Sequence, residues 1–272
     1  FSFLFGRSLL TTMSMRQLVK TRLVDGIFII TINNADRNNC VGHPTAKALV
    51  EACKRFETDD TAKVAILQGE GANFCCGYDL KEVSEGAFAN HDSQSLPENF
   101  RPMGPSAMAL RKPLIAAVEG YAVAGGLELS LLADVRVASS SARFGVFCRR
   151  VGVPLLDGGT VRLPKVIGVG RALDLILTGR EVSAEEALSI GLANRVVEKG
   201  KALEGAITMA KLIASHPNAC MLVDRTSVYN SLSSPTMKDA LDFEYSEGVS
   251  VLAESIQGAG KFMTRERVNA KL

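Results

Sequence analysis

The chain has 272 residues, of which 47% are hydrophobic and 22% charged, a composition typical of a globular protein that buries a sizeable core. A net charge of +2 without any Lys/Arg run argues against nucleic-acid binding, and no apolar stretch reaches the roughly eighteen residues that span a bilayer. Six cysteines without a CxxC pair, and three isolated histidines, predict reduced intracellular thiols with neither a metal site nor a disulfide framework.

Both ends of the chain carry features of targeting signals. Residues 1–20 contain basic, Ser and Thr side chains but no acid, as an organelle transit peptide does, so residues 1–15 are interpreted as a leader. A disordered or artificial leader, with Met13 or Met15 as the start, is the alternative. At the other end, Ala270-Lys271-Leu272 is similar to the Ser-Lys-Leu peroxisomal address. The mitochondrial matrix and the peroxisome are the predicted locations.

Strand and helix patterns alternate through the middle of the chain. Val19–Val24 and Gly26–Ile32 flank a turn at Asp25-Gly26 and predict a β-hairpin. Apolar residues recur at helical spacing over Thr45–Phe56. Further strands are predicted at Ala62–Gln68, Leu114–Glu119 and Asp134–Ala138, and an exposed loop at Gln94–Pro105. This alternation predicts an α/β fold with a largely parallel sheet.

The pattern changes near residue 200. Four amphipathic segments follow without an intervening strand, namely Ala202–Ala214, Ala219–Ser231, Thr236–Leu252 and Ile256–Val268. Their apolar faces exceed what a core of their own could cover, which indicates burial between subunits. The predicted organisation is a leader (1–15), a core with the ligand site (16–200) and a C-terminal helical region that self-associates (201–272).

Two glycine-containing corners follow predicted strands. In the segment 118–129 a strand leads through small residues into a predicted helix, Leu127–Ala133, and in the segment 72–81 a glycine precedes a helical turn. Each corner could present a backbone N–H to one ligand oxygen. A tight turn with close packing is the alternative interpretation of each corner taken alone.

The two corners, taken in this order, resemble a known family. Phe74–Lys81 matches the pattern F-x-A-G-x-D-L-K, and Gly120–Leu129 matches G-x-A-x-G-G-G-x-E-L. Arg143–Leu163 and Leu177–Val197 match two further blocks. Over about residues 17 to 262 the chain is similar to the enoyl-CoA hydratase/isomerase (crotonase) family.

The resemblance implies a crotonase-type spiral of ββα units whose C-terminal helices build trimers, commonly paired into hexamers. It also implies that the substrate is a CoA thioester and that no separate cofactor is needed. The thioester oxygen would accept the backbone N–H groups of Tyr78 and Gly125, which stabilise the enolate formed next to the carbonyl.

Hydration in this family generally uses two glutamates, and only one position matches here. Glu128 occupies the first glutamate position, one helical turn past Gly125. The alternative role for Glu128 is a carboxylate that complements the helix dipole. Cys148 stands on the second, where a buried cysteine that acts only as a small hydrophobe is the favoured interpretation. Asp157 is the candidate replacement acid; a turn residue or an ion-pair partner of Arg149 or Arg150 is the equal alternative.

Motif positions also imply residues that contact CoA. Arg37 lies in the loop after the first hairpin, where family members carry a basic residue near the nucleotide. The other positions are Cys76, Gly77, Asp79, Leu80, Lys81, Gly126 and, near the C-terminus, Lys261. Lysines and arginines of this kind are more often solvated surface charges.

Three functions follow from these residues. The leading hypothesis is an enoyl-CoA hydratase-like lyase of fatty acid metabolism, with a backbone oxyanion hole and Glu128 as the acid–base group. The second is an enoyl-CoA isomerase or an acyl-CoA decarboxylase that needs a single acid. The third is a catalytically weakened paralogue that binds acyl-CoA or a protein partner.

Overall fold

The computed structural model of the chain describes residues 17–86 and 100–263, with side chains up to residue 260. The predicted leader and the C-terminal tripeptide lie outside these ranges, so the expected location in mitochondrion or peroxisome stays a prediction. Within the described ranges, no helix is long and apolar enough to cross a membrane.

The strands form two sheets. The main sheet has six strands in the order β1-β2-β3-β4-β6-β9, namely β1 Val19–Val24, β2 Ile27–Ile32, β3 Val64–Gly69, β4 Leu114–Val118, β6 Val135–Ser139 and β9 Arg195–Val197. The smaller sheet has the order β5-β7-β8, with β5 Tyr121–Val123, β7 Arg143–Gly145 and β8 Val182–Ser183. In the main sheet, β1 and β2 pair antiparallel and every other neighbour pair is parallel, as the sequence predicted.

The helices cover the sheets and extend beyond them. Those before residue 200 are α1 His43–Thr58, α2 Leu80–Ser84, α3 Gly125–Ser130, α4 Gly159–Ile167, α5 Val169–Thr178 and α6 Ala184–Ser189. Those after it are α7 Ala202–Ser215, α8 Asn218–Ser231, α9 Met237–Ser250 and α10 Leu252–Met263. The predicted C-terminal helices are confirmed, with their described ends shifted by a few residues; the predicted end of the last one, Val268, lies outside the described residues.

The predicted hairpin at the start of the core is confirmed. Asp25 and Gly26 both have positive φ angles, 52° and 76°, as a two-residue turn matched to the strand twist requires. Val24 pairs with Ile27 across this turn.

Two apolar clusters lie on opposite faces of the main sheet. Alternate residues of β2 point to opposite faces, so Phe28 and Ile30 face α1, where the rings of Phe28 and Phe56 lie 5.9 Å apart. Ile27 and Ile29 face the other side. There α7 contributes Ala202, Ala206 and Ala210, spaced four residues apart on one helix face. Because α7 covers this face, it belongs to the core, and residue 200 does not mark a break in the packing.

The helices α8, α9 and α10 lie beyond the sheet, and none of their described side chains is buried. One polar cluster attaches α8 to the core. Asp134 Oδ1 accepts the hydroxyl of Tyr229 at 2.6 Å and forms an ion pair with Arg225 at 2.9 Å. Asp134 Oδ2 accepts the backbone N–H of Leu114 at the start of β4.

The expectation of an exposed loop over residues 94–105 is wrong for its described part, which begins at residue 100. Phe100 and Met103 are 7% and 0% exposed. Phe100 packs edge-on against His43 of α1, and Met103 fills the space next to Gly125. Prolines and a glycine mark the segment as irregular, but its apolar side chains turn inward.

Candidate active site

The two glycine corners meet beside the smaller sheet. Cys75 pairs in parallel with Ala122 of β5, which ties the first corner to the strand that enters the second. Gly77 follows at φ 96°, a conformation that side chains disfavour. A Cβ on Gly77 would lie 3.0 Å from the backbone nitrogen of Gly125. Backbone from both corners, at Gly77-Tyr78 and at Gly125, therefore borders the same point.

The first residue of α3 is Gly125, whose N–H has no preceding helical turn to supply an acceptor. A Cβ on Gly125 would meet the flexible side chain of Met103, 2.6 Å from its Sδ. A Cβ on Gly126, in contrast, would overlap the backbone carbonyl of Cys75. Close packing against backbone thus explains Gly126, whereas at Gly125 only a flexible side chain limits the space.

A cavity of about 490 Å³ opens at this point, and both Tyr78 and Gly125 line it. Its wall also carries three of the predicted polar residues, Glu128, Cys148 and Asp157. Most of the remaining wall is apolar, with Leu80, Val83, Met103, Val123, Phe147 and Leu156 among its residues. A cavity of this kind, apolar with a few convergent polar groups, suits an acyl chain with one reactive end.

Glu128 is a buried carboxyl group held by backbone donors. It is 3% exposed, and its Oε1 accepts the N–H of Asp157 at 2.9 Å and that of Gly159 at 2.8 Å. Burial raises its pKa to about 7, the charge of Asp157 adds to the rise, and the two N–H bonds oppose it. A carboxyl group with this pKa can both accept and donate a proton near neutral pH.

Asp157 is the second buried carboxyl group of the cavity, 4% exposed. Its Oδ1 accepts the backbone N–H of Met103 at 2.9 Å and the hydroxyl of Ser106 at 2.5 Å. Burial raises the pKa of Asp157, against the lowering effect of these bonds and of the nearby positive charge of Arg101 and Arg162.

The alternative roles of Asp157 do not match these contacts. Arg149 donates through Nε to the carbonyl of Ile176 and Arg150 to that of Gly179, and neither pairs with Asp157 in the described part of the chain. The Asp157 side chain is also too buried for a surface turn residue. The Asp157 side chain bonds to Met103 and Ser106 instead, and its backbone N–H bonds to Glu128.

Cys148 lines the same cavity and is 7% exposed. Burial raises the pKa of its thiol, and the negative charge of Glu128 raises it further. The thiol thus stays protonated near neutral pH, which suits a small apolar wall residue better than an acid–base group.

The residues assigned to CoA binding do not all lie at the cavity. Cys76 and Leu80 line the cavity, whereas Gly77 and Gly126 shape its corners. Asp79 caps α2 by accepting the N–H of Lys81 and pairs with Arg37, 2.6 Å between charged atoms. The ammonium group of Lys81 lies 3.7 Å from Glu85 on the surface. Lys261 lies in α10, but its side chain is outside the described part.

Sequence reasoning missed the residues that hold the two carboxyl groups. Met103 and Ser106 fix Asp157, and Gly159 helps to fix Glu128. Met103 and Ser106 lie about fifty positions before Asp157 in a segment without periodicity, so no local pattern indicates the contact. Gly159 stands out in the sequence only as part of a motif block. Among the described residues, no cluster of three His, Cys, Asp or Glu is placed to hold a metal ion.

Comparisons with known proteins agree on one family. Residues 22–268 match a family model described as enoyl-CoA hydratase/isomerase. A probable enoyl-CoA hydratase from Rhizobium meliloti is 33% identical over 89% of this chain and 93% of its own length. A 1,2-epoxyphenylacetyl-CoA isomerase from Escherichia coli is 29% identical over 92% of this chain and 97% of its own.

Solved structures give the same result for the fold. The crystal structure of an enoyl-CoA hydratase from Mycobacterium marinum superposes with a TM-score of 0.83 at 34% identity, covering 91% of this chain and 96% of that one. One from Mycobacterium tuberculosis has the same TM-score at 35% identity, with 92% and 97% covered.

Proposed function

The chain belongs to the enoyl-CoA hydratase/isomerase family and has its crotonase fold, and on this premise we propose that it adds water reversibly to a 2-enoyl-CoA thioester. The observation that carries the proposal is the pair of buried carboxyl groups, Glu128 and Asp157, on the wall of the cavity that Gly125 borders. The thioester is the substrate itself, and the reaction needs no separate cofactor.

The proposed oxyanion hole consists of the N–H groups of Tyr78 and Gly125. When water adds to the β-carbon, the electrons of the double bond move onto the thioester oxygen, and these two donors stabilise its negative charge. Support comes from the meeting of the two corners and from the position of Gly125 at the start of α3. Preorganised donors of this kind contribute about 3–4 kcal/mol each to lowering the barrier.

The two carboxyl groups have complementary proposed roles. In the ionised form, Glu128 accepts a proton from water as the new C–O bond forms, and a pKa of about 7 keeps much of it ionised at neutral pH. Asp157, in its protonated form, then delivers a proton to the α-carbon; burial raises the pKa of this group, while its bonds to Met103 and Ser106 lower it. Within the described part of the chain, Glu128 accepts its hydrogen bonds through Oε1 and Asp157 accepts its hydrogen bonds through Oδ1. The second oxygen of each carboxyl group therefore remains for the reaction.

A single-acid isomerase is the second candidate, since a relative of 29% identity is a 1,2-epoxyphenylacetyl-CoA isomerase. Glu128 alone could then move a proton between two carbons of the bound thioester.

Incubation with 2-enoyl-, 3-enoyl- and carboxyacyl-CoA thioesters, followed by mass spectrometry of the products, separates the candidates. A hydroxyacyl-CoA product supports hydration, an isomeric enoyl-CoA supports isomerisation, and loss of carbon dioxide supports decarboxylation. Binding without turnover of any thioester supports the weakened paralogue.

We also propose that the chain self-associates into trimers or hexamers through its C-terminal helices. The supporting observation is the set of exposed apolar side chains on α8, α9 and α10, which includes Val228, Met237, Leu241, Tyr245, Leu252 and Ile256. Apolar faces of this extent are normally covered by another surface. Light scattering at several concentrations tests the proposal, and a monomer at every concentration contradicts it.

A further inference from the structure

A second cavity, of about 630 Å³, lies behind the acid pair. It is bordered by the segment 101–107, by α4 and by the end of α8. We call it the rear cavity. Asp157 and Leu156 line both this cavity and the one that Gly125 borders, so the two spaces adjoin at these residues.

Four cationic side chains line the rear cavity, Arg101, Arg136, Arg162 and Lys165, against two carboxyl groups. One of the two, Asp134, is already paired with Arg225 of α8. Within the described part of the chain, none of the four cations lies within ion-pair distance of a carboxylate. The wall therefore carries an excess of positive charge.

These cations are held in place by carbonyl groups instead. Arg162 donates to the carbonyls of Ser106 at 2.6 Å and Asp157 at 3.2 Å. The guanidinium also lies above Gly158, at the positive end of the nine-residue helix α4. Arg136 is only 3% exposed and is committed to three carbonyls, so Arg101, Arg162 and Lys165 are the cations that can reach a ligand.

We infer that the rear cavity binds a small oxyanion, a carboxylate or a phosphate, at a site distinct from the thioester cavity. Guanidinium groups bind both kinds of oxyanion through charge-assisted hydrogen bonds. The inference does not depend on the reaction that the enzyme catalyses. A bound anion would also place negative charge beside Asp157, favouring its protonated form by like-charge repulsion.

Titration calorimetry of the full chain tests the inference, with inorganic phosphate and with malonate, each at constant ionic strength set by chloride. Saturable binding is expected for the wild type. The double variant Arg101→Gln/Lys165→Gln should bind at least about tenfold more weakly, because it loses two charge-assisted contacts. The matched control Arg171→Gln/Lys211→Gln removes the same charges from exposed positions outside the cavity and should bind normally.

A second variant keeps the test valid if the double variant does not fold. Ser233 lines the rear cavity and is exposed, so Ser233→Glu should leave the fold intact and compete with the anion by its own charge. Binding of phosphate alone would assign a phosphate ligand, and binding of malonate alone a carboxylate ligand. The inference is overturned if the wild type shows no saturable binding of either, or if all variants bind equally.

Discussion

The carboxyl group of Glu128 accepts the backbone N–H of Asp157, with 2.9 Å between Oε1 and the nitrogen. This bond ties the position of one acid to the chain segment that carries the other. The Asp157 side chain is fixed separately, by Met103 and Ser106 from a segment about fifty residues earlier. The acid pair thus depends on three parts of the chain, none of which holds both carboxyl groups.

The pKa of Glu128 predicts how stability depends on pH. Because this pKa is raised from 4.5 to about 7, the folded chain binds the proton more tightly than the unfolded chain does. This tighter binding contributes up to about 3 kcal/mol to the free energy of unfolding. The contribution is fully present below about pH 4.5 and is lost as the pH rises through about 7. Glu128→Gln should lack this loss. Unfolding free energies of both proteins between pH 5 and 8 measure the difference.

A matched control is Glu244→Gln, at an exposed position in α9. Its pH profile should run parallel to that of the wild type. A parallel profile for Glu128→Gln as well would show that Glu128 has no raised pKa.

Asp157 and Cys148 give opposite predictions for the second acid. If Asp157 donates the α-carbon proton, Asp157→Asn should lower hydration of a short 2-enoyl-CoA by about a hundredfold or more. Cys148→Glu should help little, because a further carboxylate near Glu128 raises the pKa of both groups. Cys148→Ala should retain wild-type turnover. A large gain in Cys148→Glu together with a silent Asp157→Asn would identify a degenerate site instead.

Gly125 tests the oxyanion hole. A β-branched side chain at this position would displace Met103 and block the approach of a thioester to the backbone N–H. Gly125→Val should therefore lower turnover by about two orders of magnitude while the chain stays folded. Gly170 in α5 has open space around a Cβ, so Gly170→Val is the matched control and should keep its activity. Equal activity of the two variants would remove Gly125 from the hole.

Ala124 precedes α3 in a conformation that suits glycine, with φ 53° and ψ −127°. Such backbone strain in a residue with a Cβ costs on the order of 1–3 kcal/mol. Ala124→Gly should therefore stabilise the chain by about 1 kcal/mol, after the entropic cost of glycine is included. Ala122→Gly, in the buried strand β5, should destabilise it. Denaturant unfolding measures both, and a loss of stability in Ala124→Gly would contradict the strain.

The sequence predicted the parts of the fold that local patterns encode. The turn at Asp25-Gly26 has its own chemistry, and the buried parallel strands are continuous apolar runs. The smaller sheet could not be predicted from the sequence, because its strands are too short to show a periodic pattern. Strands β5 and β7 have three residues each, and β8 has two. The place of α7 in the core was equally hidden, since a helix pattern does not say which surface the helix covers.

The sequence likewise predicts only part of the candidate site. Glu128 and Gly125 lie three residues apart, so their shared cavity could be predicted from helical spacing and the resemblance. Asp157 could only be placed as one of two equal alternatives. Its burial and its bonds to Met103 and Ser106 arise from contacts between distant segments. The rear cavity has no local sequence pattern at all, because its cations come from separate elements.

The most direct test of the account is hydration of a 2-enoyl-CoA in oxygen-18 water by the wild type and by Glu128→Gln. The amide oxygen of the variant side chain keeps an acceptor for the N–H groups of Asp157 and Gly159, so the fold should be retained while the proton acceptor is lost. The account predicts a 3-hydroxyacyl-CoA carrying heavy oxygen from the wild type, and a rate lower by about a hundredfold or more in the variant. Equal rates of heavy-oxygen incorporation by both proteins, or no incorporation by the wild type, would contradict the account.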